Sequence, residues 1–192
     1  KRLITNTMSS ANTTNISITK RDGRKEPLDI NKLHFVVEEA CEGLPGVSAS
    51  QIEMNANIQF YDGMTTKDIQ NVLIRSANDL ISLETPNYQF AASRLLLYDV
   101  RKEAHGQYEY SPLLKLLLRN VKLGVYDRGI VEKYSKTEIK KLNTWIRRER
   151  DLKFTYAGLR QVVDKYLVQD RSTGELYETP QFMYLLIAAT IF

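Results

Sequence analysis

The sequence predicts a mainly α-helical protein: a four-helix bundle capped by a small β-hairpin, followed by a helical region that contains a second hairpin. Three observations lead to this prediction. Apolar residues recur at helical spacing in successive segments. An Asp-Gly pair separates two short segments near the start of the chain. With 192 residues and an apolar fraction of 43%, the chain can bury a sizeable core.

The first predicted element is a β-hairpin over residues 16–29, which turns at the Asp-Gly pair as a two-residue connection. Side chains alternate between the two faces of a strand, so Lys20 falls on the same face as Ile18. Pro27 cannot donate a ladder hydrogen bond, which indicates an edge strand.

The next segments predict the four helices of the bundle. Amphipathic stripes cover residues 30–43 and about 65–81, with a short helix between them that buries Ile52. Residues 87–104 are apolar over most of the helix circumference, which predicts the central helix. The residues predicted to cap these helices are Asp29 or Asn31, Ser48, and Thr65 with Asp68.

Beyond Gly106 the sequence predicts a second region. Further helices are predicted over 113–123, 136–150 and 156–167, then a hairpin over 166–178 and a final apolar helix. The last helix stops at Phe192 without a polar turn or a cap, so we expect the chain to be the front part of a longer protein. The predicted organisation is a mobile tail at 1–15, a first domain at 16–107 and a helical region at 108–192.

Composition excludes several classes of site. A single cysteine, Cys41, excludes an internal disulfide and a Cys-rich zinc site, and we expect it to be an inert stripe residue. Two histidines leave little for a metal centre: His34 is expected at a surface or boundary position, and His105 at a helix end as a favourable cation. No phosphate-binding loop, dinucleotide fingerprint or serine-hydrolase motif is present, and no apolar run reaches the length of a membrane span.

The informative signal is a dispersed set of cations. Lys20 and Arg21 lie at the hairpin turn, and Lys102 lies at the end of the central helix. Lys32 lies in the first turn of a helix, where a cation opposes the dipole unless an anion is near. Thr66 begins another helix, whose free N–H groups can hold phosphate. Together these residues suggest a polyphosphate site at the hairpin end of the bundle.

A second basic cluster, at 140–153, suggests an alternative. Lysine and arginine side chains there lie close to Trp145 and Phe154, as on a surface that binds nucleic acid. Three carboxylates interleave with them, which favours a solvated helix face.

A resemblance to the ATP-cone of class I ribonucleotide reductase large (alpha) subunits rests on three stretches: ITKRDGRKEPLDINKLH, IQFYDGMTTKDIQ and TPNYQFAASRLLLYDVRKEAHGQYE. The stretch LVQDRSTGELYETPQFMYLLIAATIF is similar to the helical segment that follows the cone in those subunits. The resemblance implies an allosteric module that binds ATP, which activates, or dATP, which inhibits, together with Mg²⁺. The whole enzyme would be a cytoplasmic oxidoreductase that makes deoxyribonucleotides for DNA replication.

The resemblance also implies partners and missing chemistry. The partners would be a radical-generating beta subunit and other alpha subunits, with no membrane and no specific nucleic acid. No catalytic residue and no protein-held metal is expected in this segment, since the catalytic cysteines would lie beyond Phe192. By position, the implied nucleotide ligands are Lys20, Arg21, Glu26, Pro27, Leu28, Asp29, Ile30, Asn31, Lys32, Thr66 and Lys102. The implied apolar wall for adenine is Ile18, Leu28, Leu33 and Ile69.

The sequence departs from relatives at two positions near this site. Gln70 replaces a histidine near the sugar, and Glu39 replaces an aromatic residue that helps to seat a second nucleotide. Our hypothesis is that dATP repositions the hairpin and the central helix, so that the cone docks on another subunit and blocks the radical path.

Three other functional classes share parts of this pattern. A cone-bearing transcription repressor would need a zinc ribbon with paired CxxC motifs, which one cysteine excludes. A helical nucleic-acid-binding protein and a standalone regulatory or assembly protein remain open alternatives.

Overall fold

The computed structural model describes residues 16–192. The tail predicted at 1–15 lies outside the described residues. Helices dominate the described chain, and the one sheet found there has two strands. None of the helices in 16–192 is both long enough and apolar enough to cross a membrane.

The hairpin consists of strands β1 (Ser17–Thr19) and β2 (Lys25–Pro27), paired antiparallel. The predicted two-residue connection is wrong, because the loop has one more residue. The Lys20 N–H donates to the Arg24 carbonyl at 2.8 Å, and the Gly23 N–H donates to the Lys20 carbonyl at 2.9 Å. Gly23 has φ +83°, the left-handed conformation that closes a three-residue hairpin loop.

Four helices follow, as predicted: α1 (Ile30–Cys41), α2 (Ala49–Asn57), α3 (Thr66–Asp79) and α4 (Tyr88–His105). Their caps are confirmed. The carboxylate of Asp29 accepts from the Lys32 N–H at the start of α1, and Ser48 caps α2. Thr65 and Asp68 form a reciprocal capping box on α3. The segment before α3 also holds the hairpin, since the Thr19 N–H donates to the carbonyl of Met64 at 2.8 Å.

Helix α4 is the centre of the bundle and packs against α1 and α3. Its fully buried positions include Ala91, Ala92, Leu95 and Leu97. The stripe of α3 is buried at Ile69, Val72 and Leu73, but Ile81 is 38% exposed because α3 ends two residues earlier.

The second region contains α5 (Leu113–Lys122), α6 (Gly129–Lys133), α7 (Lys136–Asn143), α8 (Arg148–Asp151), α9 (Tyr156–Lys165) and α10 (Pro180–Ile191). Helix α9 packs on α4 and joins its core, whereas α5, α7 and α10 share a second core. The sequence did not predict the short helix α6. The single helix predicted over 136–150 is wrong, because it is broken between α7 and α8. The break is held by Gln181, whose side chain bonds both the N–H and the carbonyl of Arg147.

The second predicted hairpin is confirmed in a short form. Gln169 and Leu176 form its one bridge, and the Tyr177 N–H donates to the Val168 carbonyl at 3.0 Å. The pairing goes no further, because the Val168 N–H donates to the carboxylate of Glu178 instead of to the opposite strand.

Candidate functional site

A cavity of about 540 Å³ opens between the hairpin, α1, the start of α3 and the second half of α4. It brings together residues that are far apart in sequence. Nine of the eleven ligands implied by the resemblance line it: Lys20, Arg21, Glu26, Leu28, Asp29, Asn31, Lys32, Thr66 and Lys102. Pro27 and Ile30 are not among the lining residues, and both are exposed.

One part of the cavity is cationic. The pKa of Lys102 is lowered, first by burial and then by the charges of Arg21 and Lys20, so these three cations lie within interacting range of one another. Lys20 pairs with Glu26 at 2.8 Å, and Arg21 pairs with Asp99 at 3.0 Å. Three cations with two carboxylate partners leave this part of the cavity electropositive, which suits an anionic ligand.

The Arg21–Asp99 pair also ties the hairpin turn to α4. The side chain of Asp99 is only 11% exposed, and burial raises its pKa, while the charge of Arg21 acts in the opposite direction. A half-buried ion pair of this kind fixes the position of the guanidinium at the cavity.

Lys32 has a simpler explanation than the one that the sequence suggested. Its ammonium lies 3.5 Å from Asp29, and its side chain is 76% exposed. The cation in the first turn of α1 is therefore compensated by the cap residue itself, although Lys32 still lines the cavity.

Thr66 adds the start of α3 to the same cavity. The capping box uses the side chain of Thr65 for the Asp68 N–H, so the hydroxyl of Thr66 is not needed for the cap. The first N–H groups of a helix have no partner within the helix and favour a negative charge.

The remaining wall is apolar. All four residues expected to contact a base line the cavity, namely Ile18, Leu28, Leu33 and Ile69. The structure adds Val36, Phe35 and Leu73 to this wall. A cavity with one electropositive end and one apolar wall can take a ligand with a polyanionic part and a flat apolar part.

Sequence reasoning missed two aromatic lining residues, Tyr98 and Tyr108. Their rings stack with centroids 4.7 Å apart. Tyr98 was assigned only to the bundle core, although its position one turn before Lys102 places it on the same helix face. Tyr108 lies two residues after Gly106, the left-handed residue that ends α4. Nothing in the local sequence predicts the direction of the chain after that cap, so the position of Tyr108 could not be predicted.

The two residues that the resemblance implies as departures, Gln70 and Glu39, occupy different positions. Gln70 lines the cavity, and its amide donates to the Leu95 carbonyl at 2.8 Å. Glu39 does not line the cavity but accepts a hydrogen bond from the Tyr108 hydroxyl at 3.0 Å.

The other candidates lie outside this cavity. His34 is exposed as expected and bonds Glu53 at 2.7 Å, an interaction that raises its pKa. Burial raises the pKa of Cys41 to about 11, so its thiol is protonated and unreactive. The expectation for His105 is wrong: it is buried, and burial lowers its pKa to about 4, so it is a neutral core residue rather than a helix-end cation.

The basic cluster at 140–153 does not form one continuous helix face, because α7 ends before α8 begins. Arg148 pairs with Glu39 and Glu109, and Arg150 donates to the carbonyl of Trp145. The carboxylates of Glu39 and Glu109 offset the charge of Arg148, which reduces the charge available to a nucleic-acid backbone.

Comparisons with known proteins agree with the resemblance. Residues 16–103 match the ATP cone domain family, and residues 152–192 match the ribonucleotide reductase all-alpha domain. The chain is 46% identical over 178 residues to ribonucleoside-diphosphate reductase 1 subunit alpha of Escherichia coli, with 93% of this chain and 23% of that protein covered. The Salmonella typhimurium protein of the same name is 46% identical over 175 residues, with coverages of 91% and 23%.

A third relative, ribonucleoside-diphosphate reductase subunit alpha of Buchnera aphidicola, is 44% identical over 178 residues, with coverages of 93% and 23%. The chain therefore spans about a quarter of the length of these relatives.

Proposed function

Because this chain belongs to the family of ribonucleotide reductase alpha subunits and begins with their ATP-cone, we propose that its cavity binds an adenosine polyphosphate as an allosteric effector. The observation that carries the proposal is the joining of Lys20, Arg21 and Lys102 with an apolar wall in one cavity. The triphosphate lies at the cationic end, and the adenine lies against the wall.

Each part of the ligand has a matching group. Lys20, Arg21 and Lys102 supply charge-assisted hydrogen bonds to phosphate oxygens. Thr66 supplies a hydroxyl at a helix start, where negative charge is favoured. Ile18 and Ile69, both buried and both lining the cavity, supply the apolar contact for the base. Mg²⁺ would accompany the triphosphate and offset part of its charge.

The direct test is a thermal-shift series on the chain with ATP, dATP and GTP, repeated with Lys20→Ala and with Lys122→Ala as a matched surface control. A ligand that binds only the folded state stabilises it by about 2.7 kcal/mol at 100 times its dissociation constant. We expect stabilisation by ATP and dATP, loss of it in Lys20→Ala, and no loss in Lys122→Ala. No stabilisation by either adenine nucleotide would contradict the proposal.

At the level of the whole protein, we propose that the segment regulates a cytoplasmic reductase of ribonucleoside diphosphates, which works with a beta subunit and with other alpha subunits. ATP permits activity and dATP suppresses it by stabilising a different arrangement of the hairpin and α4. Titrating a full-length subunit and its Lys102→Ala variant with dATP tests this. Unchanged inhibition in the variant would reject the assignment of the site.

The nucleic-acid alternative predicts binding of duplex or single strands with a steep salt dependence. The pairing of Arg148 with Glu39 and Glu109 speaks against it, and the family assignment favours the effector site.

A further inference from the structure

A continuous chain of side-chain contacts leads from the cavity to α8. Tyr108 lines the cavity and donates its hydroxyl to one carboxylate oxygen of Glu39 on α1. The other oxygen of Glu39 accepts from the guanidinium of Arg148 on α8. Arg148 also lies 3.5 Å from Glu109, the neighbour of Tyr108. We call the contacts among Tyr108, Glu39 and Arg148 the latch.

The latch is well enclosed for a set of charged groups. The side chain of Glu39 is 21% exposed and that of Arg148 is 36% exposed, so water screens their attraction less than it screens a fully exposed pair. One carboxylate oxygen of Glu39 bonds Tyr108 and the other bonds Arg148. A movement of Tyr108 therefore shifts the carboxylate that holds Arg148.

The position of Tyr108 is set from the cavity side. Its ring stacks on that of Tyr98, another lining residue, with 29° between the ring planes. The buried guanidinium of Arg101 lies over both rings, 5.0 Å from the centroid of Tyr98 and 5.7 Å from that of Tyr108. Two nitrogens of Arg101, Nε and Nη1, have no hydrogen-bond partner, so the aromatic rings and the charge of Asp151 are the neighbours that stabilise its guanidinium.

The far end of the latch is anchored in the second region. Helix α8 carries Asp151, which is buried and accepts hydrogen bonds from Tyr110 and from Gln181 on α10. Gln181 also bonds the backbone of Arg147 and so fixes the start of α8. A displacement of Arg148 is therefore a displacement of a helix that is attached to α10.

We propose that the latch couples occupancy of the cavity to α8, a regulatory role that rests on the proposed nucleotide site. A ligand packed against the stacked rings holds Tyr108 in the position that donates to Glu39, and this strengthens the grip of Glu39 on Arg148. Coupling is reciprocal, so the intact latch also strengthens binding of the ligand. Arg148 acts on the ligand through Glu39 and Tyr108, and it is a positioning residue that does not line the cavity.

Hydrogen exchange of the 192-residue chain with and without saturating ATP tests this coupling. In the unsubstituted chain, ATP should slow amide exchange in β1 and α1 and also in residues 144–154 around α8. In Arg148→Ala, ATP should still slow exchange in β1 and α1, but the response of 144–154 should disappear. Glu39→Gln is a second variant with the same expected loss, and Arg160→Ala, an exposed arginine paired within α9, is the matched control that keeps the full response.

Calorimetric titration supplies the reciprocal measurement. Arg148→Ala should weaken ATP binding by about fivefold or more, the lower end of typical allosteric coupling, while Arg160→Ala leaves it unchanged. Protection of β1 and α1 without any response in 144–154, or a response that survives in both latch variants, would overturn the latch and leave the nucleotide site standing. No binding of ATP and no protection anywhere would overturn the site and the latch together.

Discussion

Replacing Lys102 by methionine should weaken nucleotide binding while slightly stabilising the free protein. Methionine keeps the apolar stem of the side chain and removes the ammonium. Burial and the charges of Arg21 and Lys20 lower the pKa of Lys102, which means that its neighbours disfavour its charged form. Removing the charge relieves that repulsion, but it also removes a partner of the phosphates.

The two effects differ in size. Lys102 lines the cavity and keeps contact with solvent, so after solvent screening the repulsion relieved is about 1 kcal/mol or less. A hydrogen bond to a charged group contributes about 1.5–3 kcal/mol, so its loss should raise the Kd for ATP by about 10- to 150-fold.

Calorimetry with ATP measures the Kd, and urea unfolding measures the stability. Lys122→Met, an exposed lysine in the last turn of α5, is the matched control and should change neither quantity. An unchanged Kd in Lys102→Met would refute the assignment of Lys102 to the phosphates. Weaker binding accompanied by a clear loss of stability would refute the electrostatic reasoning, since damage to the fold would then explain both.

Three further substitutions test the fold. Leu95→Ala should lower the free energy of unfolding by about 2–5 kcal/mol, because Leu95 is fully buried in α4; a smaller loss in urea unfolding would contradict its central position. Thr65→Ala should cost about 1 kcal/mol through the lost cap on α3, and an unchanged melting temperature would argue against that cap. The pKa of His105 is lowered from 6.5 to about 4, so on acidification the unfolded chain takes up a proton before the folded chain does. Relative to His105→Gln, the unsubstituted chain should therefore lose on the order of 3 kcal/mol between pH 6.5 and pH 4, and parallel pH profiles of unfolding would contradict a buried neutral imidazole.

The parts of the fold that the sequence predicted are those with strong local signals. The stripe of α1, the capping box at Thr65 and the apolar circumference of α4 each specify a helix without reference to the rest of the chain. The failures have long-range causes. Gln181 breaks the helix predicted at 136–150 from more than thirty residues away, and the Asn120 side chain donates to the Tyr177 carbonyl that a longer second hairpin would use.

The residues of the candidate site also fall into those with a local signal in the sequence and those positioned by distant contacts. Lys20 and Lys102 could be selected from the sequence as cations at the ends of a strand and of a helix, and Thr66 because it begins a helix, where an anion is favoured. Tyr108 could not, because its place in the cavity depends on the chain reversal at Gly106 and on the ring of Tyr98. The prediction for His105 was wrong because its burial depends on Phe182, and the centroids of the two rings lie 5.0 Å apart. The sequence predicted the helix that carries Phe182 but not where this helix packs.

The most direct measurement is a crystal structure of the chain grown with ATP and Mg²⁺. We expect one nucleotide in the cavity, with its phosphates among Lys20, Arg21 and Lys102 and its adenine against Ile18 and Ile69. Electron density for the nucleotide at any other surface, with this cavity free of it at saturating ATP, would contradict the account.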